Sequence, residues 1–215
     1  VWNEFKGCLS CLSGVHKGPV TEMNWQSSLV VSAGKDGLCA LWDLNNEKCI
    51  SKNKWHLSQV SNIIFHTDNK NNDNLIITTG VSDGILNVVD MRDMKQIFHE
   101  PVHKRAINFV GTTHNNLLIT GAADNTLKVL DMAKDFKEIG TLKSTDAVFC
   151  GDICGNIVAA GCGDGNLLAY NLDTMDCAWG YGCKKKGGIK CVKFVPEKMK
   201  IITGGDSGQG LELVF

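Results

Sequence analysis

The sequence predicts an all-β fold built from five repeats of short antiparallel strands, and two observations carry that expectation. The first is a six-residue turn that recurs five times. Its copies are Ser32-Ala33-Gly34-Lys35-Asp36-Gly37, Thr79-Gly80-Val81-Ser82-Asp83-Gly84, Thr120-Gly121-Ala122-Ala123-Asp124-Asn125, Ala160-Gly161-Cys162-Gly163-Asp164-Gly165 and Thr203-Gly204-Gly205-Asp206-Ser207-Gly208. Their fifth positions are 36, 83, 124, 164 and 207, so the steps are 47, 41, 40 and 43 residues. A fixed period in that range marks a chain of equivalent small units. The second observation is the pattern between the turns, where apolar residues alternate in runs of about five or six bounded by Gly, Asn, Asp and Ser, as short strands do. No stretch holds a 3.6-residue apolar period over ~12 residues, so helix is nearly absent.

Each repeat divides into four runs. The first gives Val20–Trp25, Ser28–Ala33, Leu38–Asp43 and Lys48–Ser51. The second gives Val60–Phe65, Asn74–Gly80, Ile85–Asp90 and Lys95–His99. The third gives Ala106–Val110, Asn116–Gly121, Thr126–Asp131 and Phe136–Leu142. The fourth gives Val148–Ile153, Asn156–Gly161, Asn166–Leu172 and Met175–Gly180. The fifth gives Ile189–Phe194, Met199–Gly204 and Gly210–Phe215. The opening run keeps one phase: Val20, Met23 and Trp25 recur as Val60, Ile63 and Phe65, and as Ile189, Val192 and Phe194. Val148, Gly151 and Ile153 fit more weakly. The third repeat can be phased on Ala106 or on Ile107. A strand whose apolar positions recur in this way packs against equivalent neighbours.

These residues resemble the WD-repeat β-propeller family. Trp42-Asp43 is the dipeptide that names it, six residues after Asp36. Val15-His16, ahead of Lys17-Gly18-Pro19-Val20, resembles the Gly-His that opens a family repeat. The resemblance covers essentially the whole chain in five copies. It implies a structural tetrad in each blade, in which His, Ser or Thr, Asp and Trp are linked by hydrogen bonds. The first repeat matches fully with His16, Ser32, Asp36 and Trp42. The second keeps His56, Thr79 and Asp83 with Val89 in place of Trp. The third keeps His103, Thr120 and Asp124 with Leu130. The fourth keeps Asp164, with Ala160 and Tyr170, and the fifth has Thr203, Ser207 and Leu213. Losing the indole together with its partners strands fewer polar groups than losing one alone.

The register also runs backward. Trp2-Asn3 aligns with Trp42-Asp43, and Gly7–Cys11 with Glu47–Ser51, so the chain begins inside a blade. Two closures follow. Residues 6–12 could complete the fifth repeat in a closed five-bladed ring, or the chain could be the C-terminal part of a larger, seven-bladed ring. The larger ring is favoured, because Trp2-Asn3 is superfluous in the smaller one. The expected division is a preceding blade's end over 1–15 and repeats over about 16–54, 55–101, 102–142, 143–182 and 183–215 within one domain.

The bulk properties suit such a domain. The chain of 215 residues is 43% hydrophobic and 21% charged, with a formal net charge of -1. Nothing global draws it to nucleic acid or an anionic membrane. No apolar run reaches the ~18 residues that span a bilayer, and the first residues lack the basic, apolar and small-residue pattern of a signal peptide. Of ten cysteines, Cys39, Cys49, Cys150, Cys177 and Cys191 fall in strand-like runs, where a thiol acts as a small hydrophobe. With no N-x-[ST] sequon, this points to a reducing cytoplasmic setting, or a nuclear or ciliary one, and not to a secreted protein.

No constellation of catalytic, cofactor-binding or metal-ligating residues emerges. The turn aspartates are assigned to backbone N–H groups and to the tetrad His. The segment from Asp68 to Asp73 lacks the Gly and terminal Glu of a calcium loop and reads as a polar insertion. Cys8 and Cys11 form one C-x-x-C without a second pair at zinc spacing, and Cys177 with Cys183 is no better. The glycine-rich stretches around Gly163 and over 182–188 open no helix that could hold phosphate.

The function expected is therefore a surface, with no enzyme activity, no cofactor and no small-molecule substrate. In the WD-repeat family the face bearing the turn and the repeat-opening loop is the usual binding face. Here it would carry Lys17, Lys35, Trp55, Ser82, Lys104, Arg105, Asp206 and the run Lys184, Lys185 and Lys186. A mostly basic face suits acidic or phosphorylated proteins and peptides. The leading reading is a protein-interaction scaffold within a multiprotein complex. One alternative is the substrate-recruiting subunit of a ubiquitin ligase. Another is an RNA-associated subunit that uses the lysine-rich last repeat, where seven lysines fall between positions 184 and 200. Nucleic acid is the less favoured partner.

Overall fold

Sheet after sheet follows the same up-and-down order in a computed structural model of the chain, which describes residues 2–3, 7–8, 11–68, 73–182, 187–208 and 210–214. A short ribbon comes first, pairing β1 (Trp2–Asn3) with β2 (Gly7–Cys8). The first full sheet runs β3 (Val20–Gln26), β4 (Leu29–Gly34), β5 (Leu38–Asp43) and β6 (Lys48–Lys54). The second runs β7 (Val60–Asp68), β8 (Asp73–Gly80), β9 (Ile85–Asp90) and β10 (Lys95–Pro101). The third runs β11 (Ile107–Thr112), β12 (Leu117–Ala122), β13 (Thr126–Asp131) and β14 (Lys137–Lys143). The fourth runs β15 (Val148–Cys154), β16 (Ile157–Cys162), β17 (Asn166–Asn171) and β18 (Asp176–Gly182). The last has three strands among the described residues, β19 (Ile189–Val195), β20 (Lys200–Gly205) and β21 (Gly210–Val214). Helix among the described residues is confined to 3-10 turns at Met132–Lys134 and Pro196–Lys198.

This is an all-β chain of propeller-type blades. Short turns leave each strand no neighbour but the next one along the chain, so the antiparallel order follows directly. The first strand of each of these five sheets, called its inner strand, carries a β-bulge at its start, as between Val20 and Glu22 or Ile189 and Cys191. The third and fourth strands of the four complete sheets share a second bulge. Bulges add twist, and edge strands that carry them pair poorly with outside strands. Ile107 sits opposite Ala122 as Val20 sits opposite Gly34, so the third repeat is phased on Ile107 and not on Ala106. The long first step has two sources. β7 and β8 extend past their counterparts around residues 69–72, which lie outside the described residues, and the turn from Gly80 to Asp83 holds one residue more than that from Gly34 to Asp36.

The chain forms two compact units, Val1–Pro101 and Val102–Phe215. Within each, successive sheets stack face to face. In the first unit, Val31, Ala33, Cys39 and Leu41 of one sheet meet Val60, Ile63 and Phe65 of the next. In the second unit, Ile119, Leu127 and Val129 meet Val148 and Ile153, and Ala159 and Leu167 meet Ile189, Val192 and Phe194. Full burial of each such side chain is worth about 1.5–3 kcal/mol, so this repeated contact dominates the stability. Polar side chains add a link across the same junctions. Thr21 Oγ1 donates to the Val60 carbonyl at 2.9 Å, and Asn108 Nδ2 donates to the Val148 carbonyl at 2.8 Å.

The cysteines divide by depth. Burial pushes the Cys39 and Cys150 thiols up to about 12, where they stay protonated and pack as small apolar groups. Cys177 and Cys191, read as strand hydrophobes, are exposed.

Gly37 tests the junction between the first two repeats. Its φ is +77°, and a Cβ there would collide with the carbonyl oxygens of His56 and Ser58. Gly37→Ala is expected to cost more than about 1 kcal/mol, from strain and collision together. Gly204→Ala, with open space at the Cβ and an ordinary φ, is expected to stay within about 0.5 kcal/mol of the parent. Urea unfolding of the two variants checks the contrast.

Candidate protein-interaction rim and the hydrogen bonds beneath it

One backbone hydrogen bond recurs in all five repeats and fixes the rim. The residue after the last position of each second strand donates to the carbonyl just before each inner strand. The pairs are Lys35 to Pro19, Val81 to Gln59, Ala123 to Ala106, Gly163 to Ala147 and Asp206 to Gly188, at 2.9–3.0 Å. It holds the six-residue turn against the repeat-opening loop, and their outward side chains form the rim.

Under the rim of the first blade lies a complete polar chain. The Trp42 indole N–H donates to Ser32 Oγ at 2.8 Å, and Ser32 Oγ lies 2.7 Å from His16 Nε2. Because the indole supplies a proton to the hydroxyl, the hydroxyl is free to donate onward to Nε2. That leaves the His16 Nδ1 proton facing Asp36, whose Oδ1 is 3.5 Å away. Asp36 also accepts the Lys17 amide at 2.9 Å and the Leu38 amide at 3.1 Å. Burial pushes its carboxyl up, but these donors outweigh burial and hold it below 3.8.

The second blade corrects the sequence alignment. His56 Nε2 bonds Thr78 Oγ1 at 2.9 Å, not Thr79. The Thr79 hydroxyl instead meets Ser61 Oγ at 2.9 Å. Counting back from Asp83 misplaces the hydroxyl because the turn carries an extra residue. Counting back from Gly80, as Ser32 stands two before Gly34, places it correctly. The same extra residue leaves Asp83 Oδ2 3.8 Å from His56 Nδ1, beyond hydrogen-bond reach. With Val89 at the Trp position, another donor serves the hydroxyl. Asn87 Nδ2 donates to Thr78 Oγ1 at 3.2 Å, and Gln96 Nε2 donates to Asn87 Oδ1 at 2.7 Å, which orients the amide. His99 Nδ1 lies 3.2 Å from the same oxygen. The missed signal was a lone Asn87 inside the apolar run Leu86-Asn87-Val88-Val89, where a fully buried amide must find partners.

The third blade keeps three members in tight contact. His103 Nε2 is 2.9 Å from Thr120 Oγ1 and Nδ1 is 3.1 Å from Asp124 Oδ2. Thr126 Oγ1 and the Lys104 amide also donate to Asp124, at 2.6 and 3.1 Å. The fourth blade has dismantled the chain as a set. Ala160 removes the hydroxyl, Ser144 stands at the His position, and the Tyr170 hydroxyl donates to the Lys143 carbonyl at 2.8 Å. Asp164 is held by the Asn166 backbone and side-chain amides. Thr203 of the fifth blade is buried.

On the rim itself, Lys17, Lys35 and Ser82 of the first unit are exposed, as are Lys104, Arg105 and Asp206 of the second. Ser82 contacts the Ser58 hydroxyl. Trp55, expected on the face, is half-buried against the Val31 and Leu41 cluster. Asp206 pairs with Lys190 at 3.4 Å, and the Lys190 ammonium lies 3.8 Å over the Phe149 ring. Lys184, Lys185 and Lys186 lie outside the described residues. Among the described residues, no three His, Cys, Asp or Glu side chains converge as metal ligands would.

The comparisons agree with this geometry. Residues 6–43 match the family described as WD domain, G-beta repeat. The chain is also similar to Autophagy-related protein 16 of Arabidopsis thaliana, with 27% identity over 161 residues, covering 69% of this chain and 29% of that protein. It thus spans less than a third of the length of this relative. Both findings support a WD-repeat family for this chain.

The polar chains make stability depend on acid. Burial holds His56 and His103 below 6.5, with Asp83 and Asp124 opposing the shift. Their contribution is complete above the unfolded value of 6.5 and is lost as pH falls from there toward the lowered folded values. Asp36 and Asp124, held below 3.8, contribute above that value and lose it as pH falls further. The urea midpoint is expected to drop in two stages, below about pH 6.5 and again below about pH 4. A midpoint constant from pH 7.5 to about 5 would contradict the first stage. Trp42→Phe is expected to cost about 1–3 kcal/mol by removing the donor to buried Ser32, whereas Val89→Ile, at the same position in the second blade, leaves the Asn87 donor in place and costs less. Thermal unfolding of the pair decides it.

Proposed function

We propose that this chain is a non-enzymatic interaction scaffold whose rim loops take an acidic or phosphorylated segment of a partner protein. WD repeats serve protein interaction, and the coarse role follows from the family. The charge of the partner is the finer reading, and one observation supports it. Lys17, Lys35, Lys104 and Arg105 are exposed, and none forms an ion pair among the described residues. Several other cations are compensated, as Lys128 is by Glu138 at 2.7 Å and Lys193 by Asp152 at 3.0 Å. The backbone amides of Lys17, Lys35 and Lys104 are held by hydrogen bonds, so an anionic ligand meets a positioned charge at little ordering cost.

The lysine-rich last repeat supports an RNA ligand less well. Its described members include Lys190, Lys193 and Lys200, paired with Asp206, Asp152 and Glu212 respectively. The likeness to an autophagy-related protein makes assemblies of that process the first place to seek the partner.

Charge reversal tests the reading. Lys17→Glu with Lys35→Glu, and separately Lys104→Glu with Arg105→Glu, are expected to weaken recovery of the partner in affinity purification by roughly tenfold or more. Binding to the unaltered protein should fall as salt rises. Partner recovery unchanged in both double variants would refute an anionic ligand at the rim.

A further inference from the structure

The bulge residue of each inner strand stands at the rim end of that strand, and three of the five follow one rule. Each is a short polar side chain that donates to a backbone carbonyl. Thr21 donates to Val60, Asn108 to Val148, and Ser61 to Thr79. The fourth and fifth blades break the rule. Phe149 stands between Val148 and Cys150, and Lys190 between Ile189 and Cys191. These two turn to each other, with the Lys190 ammonium 3.8 Å over the centre of the Phe149 ring.

Glycines seat the ring. A Cβ on Gly188 would come within 2.6 Å of it and one on Gly163 within 3.1 Å, so a side chain at either position would collide with the aromatic. The same point above Gly163 is 3.0 Å from Asp146 Oδ2, which places a carboxylate beside the ring. A second carboxylate, Asp206, has its Oδ2 3.4 Å from Lys190 Nζ. The Asp206 amide donates to the Gly188 carbonyl at 3.0 Å, and the Asp146 carboxylate accepts the Ala147 amide at 2.8 Å. Ring and carboxylates are thus set by clamped backbone. Lys190 reaches them on a flexible stem, and its side chain is half exposed.

An exposed ion pair and an exposed cation–π contact are each weak in water, so Lys190 is easily displaced. Its ammonium is a compact, strongly hydrated point charge. A guanidinium is planar and less hydrated, stacks on an aromatic face and meets a carboxylate through a fork of N–H donors. The arrangement therefore suits an arginine better than the lysine that occupies it. We propose that Phe149, Asp206 and Asp146 form a receptor for an arginine side chain of a partner protein, with Lys190 as the resident that the arginine displaces. The charge it takes is opposite to that proposed for Lys104 and Arg105 on the same unit, so the two readings stand or fall separately.

Titration of acetyl-arginine amide into the full polypeptide, with isotope-labelled phenylalanine rings followed by NMR, tests this. Phe149→Leu assigns the Phe149 signals. The arginine amide is expected to shift them saturably and to bind several-fold more tightly than acetyl-lysine amide, while acetyl-glutamine amide leaves them in place. Lys190→Ser vacates the ring and is expected to tighten arginine binding several-fold. Asp206→Asn in that background is expected to weaken it by about tenfold. Both substitutions fall on exposed side chains, and the remaining phenylalanine signals check that the fold is kept. The absence of a saturable shift in Lys190→Ser overturns the proposal. So does equal affinity for the arginine and lysine amides, or arginine binding that Asp206→Asn leaves unchanged.

Discussion

Two apolar faces on one thin sheet cannot both be satisfied by a blade standing alone. Cys39 and Leu41 point into the junction with the next blade, while Val30, Ala40 and Trp42 pack on the other side with Leu12 and Val15. Each blade is therefore stable only between neighbours, and the face-to-face contact sets the architecture within each unit. Glycines mark how close the approach is. A Cβ on Gly121 would press into Val148, and one on Gly161 into Ile189. The positions are small because the next inner strand needs the space.

With the sheets stacked, the polar chains beneath the rims have a different task. In the first and third blades they tie the repeat-opening loop to its turn through one half-buried carboxylate, Asp36 or Asp124. The first blade uses the full set, from the indole of Trp42 to Asp36. The second exchanges the indole for the amide of Asn87 and lets the aspartate drift from its histidine. The fourth removes hydroxyl and histidine together and turns a tyrosine hydroxyl to a backbone carbonyl. The first two blades leave the buried hydroxyl with a donor and the fourth deletes it, which is the condition a low-dielectric interior imposes. The backbone bond from turn to opening loop persists in all five repeats, so the rim survives changes in its support.

A rim built in this way is rigid at its base and free at its tips. Lys17 and Lys104 illustrate the division. The backbone amide of each is fixed on an aspartate while its ammonium reaches into solvent. Charge can therefore vary from repeat to repeat without disturbing the blade.

The sequence by itself determined the repeat, the strands and most of the polar chain. A 40-odd residue period and two-residue alternation are local properties, and His103, Thr120 and Asp124 keep a spacing that any turn of that length preserves. Three things were decided only by tertiary structure. The hydroxyl of the second blade moved to Thr78, because an inserted turn residue breaks the count from Asp83 but not the strand register. Asn87 became a donor because the strand register sets it directly opposite Thr78, which no linear motif encodes. Trp55 turned inward and Trp25 outward, although both are tryptophans in β-rich segments. Which way each faces depends on whether another sheet lies against it, and that is a property of the packing.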